Sequence, residues 1–208
     1  MISVTDGRVL GPMIEMEAPT PDQYPLSGNA LLLGCNQSTN RDPIMHLEAT
    51  EIDDSILTLK EQRLARIVHP THGRGVTKYR HVVGETLGLE ADELAVLGVL
   101  LLRGPQTSGE LRTRTERQHP FSSVNEVDDT LARLAARDEP LAVHLERQPG
   151  QKEARWQQLL AEEAPRPELR AGHSSTSERE PGLRDRVEEL EQRVVRLETA
   201  LADLLGEV

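Results

Sequence analysis

A chain of 208 residues can hold one large domain or two small ones. Its formal net charge of −11 is spread along the whole length, with 8 Lys/Arg against 11 Asp/Glu in residues 1–88, 9 against 12 in 89–161 and 7 against 12 in 162–208. No segment is therefore a basic domain, which excludes strong nonspecific binding to nucleic-acid phosphates as the default expectation. Hydrophobic residues make up 37% of the chain and aromatics 2%, so the core must come mainly from Leu, Val and Ile in modest, mainly helical domains.

The N-terminus, "MISVTDGRVLGPMIEME", lacks a basic region followed by an apolar stretch, and no signal peptide is expected. Its helical pattern is interrupted by Pro12, where an interior proline costs about 3 kcal/mol, so the first helix is expected to kink or to begin there. The segment "APTPDQYPLSGNALLLGCNQSTNRDP" follows. It sets Asn29, Asn36, Gln37, Asn40 and Arg41 around an apolar run, residues suited to holding a ligand or partner, or to capping and turn formation. The lone cysteine, Cys35, excludes an internal disulfide and fits a reducing, cytoplasmic setting. The apolar runs "ALLLGC" and "LAVLGVLLL" are too short to span a bilayer.

"EIDDSILTL", from Glu51 to Leu59, is echoed by "EVDDTLARL", from Glu126 to Leu134. Ile52, Ile56 and Leu59, like Val127, Leu131 and Leu134, fall at i, i+4 and i+7, the spacing of one helix face. Ser123 with Glu126, and more weakly Thr50 with Asp53, form capping-box patterns at the helix starts. Two strand-like runs follow each helix, "LARIV" and "VTKYRHV" in the first case, "LAVHL" and "ARWQQLL" in the second. Upstream, "VLG" at Val9 recurs at Val96. The spacing between matching positions falls from 87 to 75, so the first copy carries about twelve extra residues before "EIDD". The unit reads as three helices closed by a β-hairpin, a winged helix, repeated twice over roughly residues 3–82 and 90–161.

Winged helices most often place the third helix in the DNA major groove and the wing on the backbone. Here Glu48, Glu51, Asp53 and Asp54 stand at the reading end of the first copy, and Glu126, Asp128 and Asp129 in the second. Such acids suit a helix N-terminus but repel phosphate. Between Lys60 and Arg80 the balance reverses: Lys60, Arg63, Arg66, Arg74, Lys78 and Arg80 stand against Glu61 alone. This stretch is the best candidate for phosphate contact; the second copy is weaker, its Arg147, Lys152 and Arg155 alternating with Glu146 and Glu153. Arg112, Arg114 and Arg117 form a smaller basic stripe. No G-x-S-x-G elbow, P-loop or G-x-G-x-x-G is present, and nothing in sequence supplies Cys35 with a base. His69 and His72, with His81 nearby, read as surface histidines rather than metal ligands, and no cofactor or metal is expected.

From Ala164 to Gly182 the chain turns rich in Pro, Gly, Ser and charge and reads as a flexible linker. Beyond it Leu183, Val187, Leu190, Val194, Leu197, Leu201 and Leu204 mark a heptad with mainly Val at a and Leu at d. Arg186 and Arg193 at g would face Glu191 and Glu198 at e of a parallel partner, which favours a homodimer; the other reading is a helix folded back on its own domain.

Five stretches, "TPDQYPLSGNAL", "CNQSTNRDPIM", "GVTKYRH", "LLLRGPQTSGELRTRTER" and "GQKEARWQQL", resemble the YceH-like family of bacterial proteins over roughly residues 3–160. The resemblance implies a tandem winged-helix fold, often with a C-terminal coiled-coil helix. It brings no established activity and no agreed site residues. Pro12, and Met16 where a lysine is expected after "IE", depart from the family pattern. The expected architecture is thus mainly α (α+β): winged-helix domains at 1–88 and 89–163, a linker at 164–182 and a coiled-coil helix at 183–208. Two functions fit: a non-enzymatic, dimeric, DNA-associated transcriptional regulator, or a protein-interaction module using the acidic surfaces.

Overall fold

Ser3 opens the first helix by accepting a hydrogen bond from the backbone N–H of Asp6, whose carboxylate accepts the Ser3 N–H in return. From there, the computed structural model describes residues 1–70, 75–147 and 151–162, all within one compact unit, Met1–Arg166. The linker and heptad expected at 164–182 and 183–208 lie outside the described residues, as do His72 and Arg74. The chain has an α+β fold. In order, the elements are α1 (Val4–Glu17), β1 (Leu26–Ser27), α2 (Gly28–Cys35), α3 (Ala49–Glu61), β2 (Ala65–Val68) and β3 (Lys78–His81). A short α4 (Val83–Leu87) leads to α5 (Ala91–Arg103), α6 (Ser108–Thr115), α7 (Val124–Ala135), β4 (Ala142–Leu145) and β5 (Arg155–Gln158).

The second half repeats the first. Antiparallel β2–β3 pairs Ala65 with His81, and β4–β5 pairs Ala142 with Gln158. β1 adds a third strand through Leu26 and Tyr79, a place taken in the second half by the Gln106–Trp156 bridge. A hydroxyl–carboxylate contact also recurs: Ser55 donates to Asp6 at 2.6 Å, and Thr130 donates to Asp92 at 2.8 Å. Each ties a third helix to the start of a first. The extra length of the first half is not one insertion. It is divided between residues 18–27, against 104–107 in the second half, and residues 36–48, against 116–123.

The halves share a core because α1 packs directly on α5. A Cβ added at Gly11 would lie 2.5 Å from Leu102 Cδ2, and one at Gly98 would lie 2.8 Å from Ile14 Cγ2. The N-terminal segment closes the unit: Ile2 donates to the Leu160 carbonyl at 3.0 Å and accepts from Glu162 N–H at 2.9 Å.

α1 does not begin at Pro12 but runs on from Val4 to Glu17. Proline has no N–H to give the carbonyl of Arg8 one turn back. That buried carbonyl instead accepts the thiol of Cys35 at 3.6 Å. A double-mutant cycle should show this compensation. Cys35→Ala is expected to cost at least about 0.5 kcal/mol less in a Pro12→Ala background, where the alanine supplies the missing N–H. Additive urea midpoints would refute it.

α3 begins earlier than the sequence pattern suggests. Glu48, not Thr50, is its N-cap, and Glu51 accepts the Glu48 N–H at 2.8 Å. Ser123 caps α7 as expected and accepts the Glu126 N–H at 3.2 Å. The Glu126 carboxylate, however, turns to Ser122, whose N–H and hydroxyl both donate at 2.7 Å.

Candidate functional site

Three surfaces gather the chemically capable side chains. The first is the outward face of the third helices. Asp53, Asp54, Asp128 and Asp129 are exposed, because Ile52, Ser55, Ile56 and Leu59, like Val127, Thr130, Leu131 and Leu134, turn into the core. Asp128 is engaged by the Ser108 hydroxyl. No side-chain hydrogen bond of Asp53, Asp54 or Asp129 occurs among the described residues. Leu57 stands 53% exposed on the same α3 surface.

The second is the hairpin of the first half. Lys60 lies exposed in the last turn of α3. Arg63 has φ 58°, a left-handed residue that ends the helix, and its carbonyl accepts the Thr86 hydroxyl at 2.6 Å. Arg66 and Arg80 converge on Glu85 at 3.2 and 2.7 Å, so one carboxylate offsets part of the expected basic cluster. Lys78 sits at the start of β3, opposite Val68 and Ser27. In the second half Lys152 is exposed, whereas Arg155 donates to Glu110 and to the Pro105 carbonyl, both at 2.9 Å. Lys60, Arg63, Lys78 and Lys152 of this set have no carboxylate partner among the described residues. His81 is not a surface residue: at 4% exposure it is buried at the end of β3 and meets Glu17 of α1 at 2.9 Å. His69 is exposed, and no group of three His, Cys, Asp or Glu among the described residues could hold a metal.

The third is a polar groove where the loop 36–48 meets the second half. Arg41 is its buried base. Its guanidinium grips Glu15 at 2.7 and 3.3 Å and donates to the carbonyls of Gly34 and Asn40 at 2.9 Å each. Asn36 holds the loop closed, its amide exchanging hydrogen bonds of 2.8 and 2.7 Å with the backbone of Leu47. Asn40, at φ 62°, turns its side chain to accept from Arg103, and Asp42 N–H donates to the Leu102 carbonyl at 2.9 Å. Around this junction lie two adjoining cavities of about 380 and 500 Å³, sharing Asn40, Arg103 and Arg114. Gln37 lines the larger; Asn29 lies elsewhere, exposed on α2.

The structure thus brings Asn40, Arg41, Gln37 and Arg155 together with Arg103, Arg114, Gln106 and Glu110, none of which the sequence singles out for this site. Arg103 falls in the last turn of α5, where a cation also complements the helix dipole, and Glu110 falls at the capping-box position of α6. Glu110 does cap α6, exchanging hydrogen bonds with Thr107, while also pairing with Arg155 and Arg114. Cys35 is not poised for nucleophilic chemistry, since burial pushes its thiol up to about 12. Among the described residues no helix is long and apolar enough to cross a membrane.

Several carboxylates are held below their ordinary range. Glu17 is lowered by its hydrogen bond with His81. For Asp92 and Glu110 burial acts upward, but hydrogen bonds and cations outweigh it: Thr130 and Arg133 on Asp92, the Thr107 N–H with Arg155 and Arg114 on Glu110. Because the folded form binds these protons less readily than the unfolded chain, their contribution is complete above about pH 5 and is lost as pH falls through the folded values. Urea midpoints should therefore fall as pH drops from 5 to 3, and less steeply in Glu17→Gln. An acid-insensitive midpoint would contradict these contacts.

Comparison with known proteins places the chain in a family. Residues 2–151 match the family described as "Protein of unknown function, DUF480". The UPF0502 protein of Geobacter sulfurreducens is 45% identical over 204 residues, covering 98% of this chain and 90% of the relative. Those of Paraburkholderia phymatum and Shewanella amazonensis are each 42% identical, covering 98% and 99% of this chain and 87% and 98% of the relatives. The chain belongs to the DUF480/UPF0502 family of bacterial proteins of unknown function, consistent with its YceH-like resemblance.

Proposed function

We propose that the chain is a non-enzymatic, cytoplasmic, tandem winged-helix protein, with domains at 1–88 and 89–163, that works by docking a partner protein. One observation carries this reading: the outward faces of both third helices, the surfaces that would enter a DNA major groove, present Asp53 and Asp54 in one half and Asp128 and Asp129 in the other. A row of carboxylates beside exposed Leu57 suits a partner with a basic, partly apolar surface better than a phosphate backbone. The engagement of Arg80 by Glu85 and of Arg155 by Glu110 points the same way. The heptad from Leu183 to Leu204 would join two copies in parallel, doubling the valency of the docking surface. Sedimentation of the chain truncated after Glu163 is then expected to give a monomer.

The second reading, a DNA-associated transcriptional regulator, is favoured by Lys60, Arg63, Lys78 and Lys152, cations at or beside the hairpins that no described carboxylate offsets. A salt series with random duplex DNA separates the two. The docking reading expects no binding even at low salt, and expects capture of a partner from the native host that Asp53→Lys with Asp54→Lys abolishes. DNA binding that is lost on changing Arg74→Glu and Lys78→Glu together would replace it with the regulator reading.

A further inference from the structure

In a chain of net charge −11, the groove between the 36–48 loop and the second half is locally positive. Arg41, Arg103, Arg114, Arg117 and Arg155 line it, against Glu15, Asp42 and Glu110. Arg41 is consumed by Glu15, and Arg155 and Arg114 share Glu110. That leaves two guanidinium groups with no carboxylate in contact among the described residues. Arg103 bonds only the neutral Asn40 side chain, and Arg117 is exposed at the rim of the larger cavity. The Arg103 charge is disfavoured first by burial and then by Arg114 beside it, with Glu15 and Glu110 acting in the other direction. Two same-sign cations facing a cavity are a standing preference for an anion, and guanidinium forks match phosphate oxygens.

A second, independent feature lies in the adjoining smaller cavity, which Arg103 also lines. Gln106 is 5% exposed, and its amide nitrogen donates to the carbonyls of Arg103 and Pro105 at 3.1 and 2.9 Å. Its amide oxygen, also buried, has no hydrogen-bond partner. A buried acceptor left unmatched costs free energy that a donor group would recover. Among the described residues the lining contains no aromatic ring on which a nucleobase could stack, and Pro105, Met16 and Pro19 are its strongly apolar members. The volumes suit a small molecule.

We infer that this groove binds a small phosphate ester bearing hydroxyl groups, its phosphate held by Arg103 and Arg117 and a hydroxyl donating to the Gln106 oxygen. The site is built from Asn40 and Asp42 of the first half and, in the second, from the end of α5, the connection to α6, α6 itself and the residues just after it, so a ligand there would brace the junction of the halves. It stands independently of what the third helices dock.

The test is calorimetric titration of the full chain with inorganic phosphate and with glucose 6-phosphate, at constant ionic strength. Both are expected to bind, the ester more tightly. Arg103→Gln and Arg117→Gln should each weaken binding about tenfold or more, as expected for a lost charge-assisted hydrogen bond. Arg66→Gln, which removes the same charge from the β2 strand, should leave it unchanged. Arg117 is exposed, so that variant tests the site without threatening the fold. No binding of either probe, or equal weakening by Arg66→Gln, would overturn the site. Equal affinity for phosphate and ester would overturn the role of Gln106. Displacement of the ester by duplex DNA, with the same dependence on Arg103 and Arg117, would assign the groove to nucleic acid and overturn the small-ligand inference.

Discussion

Arg41→Ala is expected to lower the stability of the folded unit by about 3 kcal/mol, or about 6–12 °C in melting temperature for a unit of this size. The Arg41 side chain is fully buried and binds both Glu15 oxygens and the carbonyls of Gly34 and Asn40. Deleting it leaves an uncompensated carboxylate and a buried carbonyl, the circumstance in which losing one partner costs most. Glu15 retains 30% exposure and can recover some hydration, which keeps the expectation at the lower end of the range for buried pairs. Arg41→Lys should restore less than half of the loss, because an ammonium cannot reproduce the two-pronged contact. Arg66→Ala is the control: its ion pair with Glu85 is solvent-exposed on both sides and should be worth no more than about 0.5 kcal/mol. Equal melting temperatures for Arg41→Ala and Arg66→Ala would remove Arg41 from its place as the base of the groove.

The crossing of α1 and α5 should be equally sensitive, through sterics rather than charge. A Cβ at Gly11 would already lie 2.5 and 2.6 Å from Leu102 atoms, in a position buried from solvent. Gly11→Leu is therefore expected to cost at least about 3 kcal/mol, since neither helix can yield without unseating the shared core. Gly11→Ala should fall between, with the clash partly offset by about 1 kcal/mol of helix propensity. Gly109→Ala supplies the opposite sign. In α6 its Cβ would meet nothing closer than Thr107 Oγ1 at 3.9 Å, so the propensity gain of up to about 1 kcal/mol should appear undiminished. Urea denaturation of the three variants checks both directions, and a tolerated Gly11→Leu would mean the helices do not meet in this register.

Much of the fold was legible because helices and hairpins report themselves locally. Ile52, Ile56 and Leu59 recur one turn apart, and all are buried. The runs "LARIV" and "VTKYRHV" enclose the residues that pair in β2 and β3, and "LAVHL" and "ARWQQLL" those of β4 and β5. The cap of α3 lies two residues before the sequence expectation, because Thr50 is the better capping residue in isolation while Glu48 forms a reciprocal capping box with Glu51.

The candidate site was legible only in part. Asn36, Gln37, Asn40 and Arg41 were picked out by type, but their roles differ: Asn36 and Arg41 hold the loop, while Gln37 and Asn40 face the groove. Arg80 and Arg155 read as free charge along the chain, but the fold sets Glu85 and Glu110 beside them.

The sequence by itself determined the three helices and hairpin of each half, though not β1 or α4, together with the twofold repetition and the acidic face of each third helix. These follow from periodicity and residue type over a few turns. Only the tertiary structure decided that His81 is buried against Glu17, that the Cys35 thiol serves the carbonyl Pro12 leaves open, and that Arg103 and Arg117 face one cavity. Each of these joins positions on separate elements, and in every case what a side chain does is settled by the neighbour that packing places within about 4 Å of it.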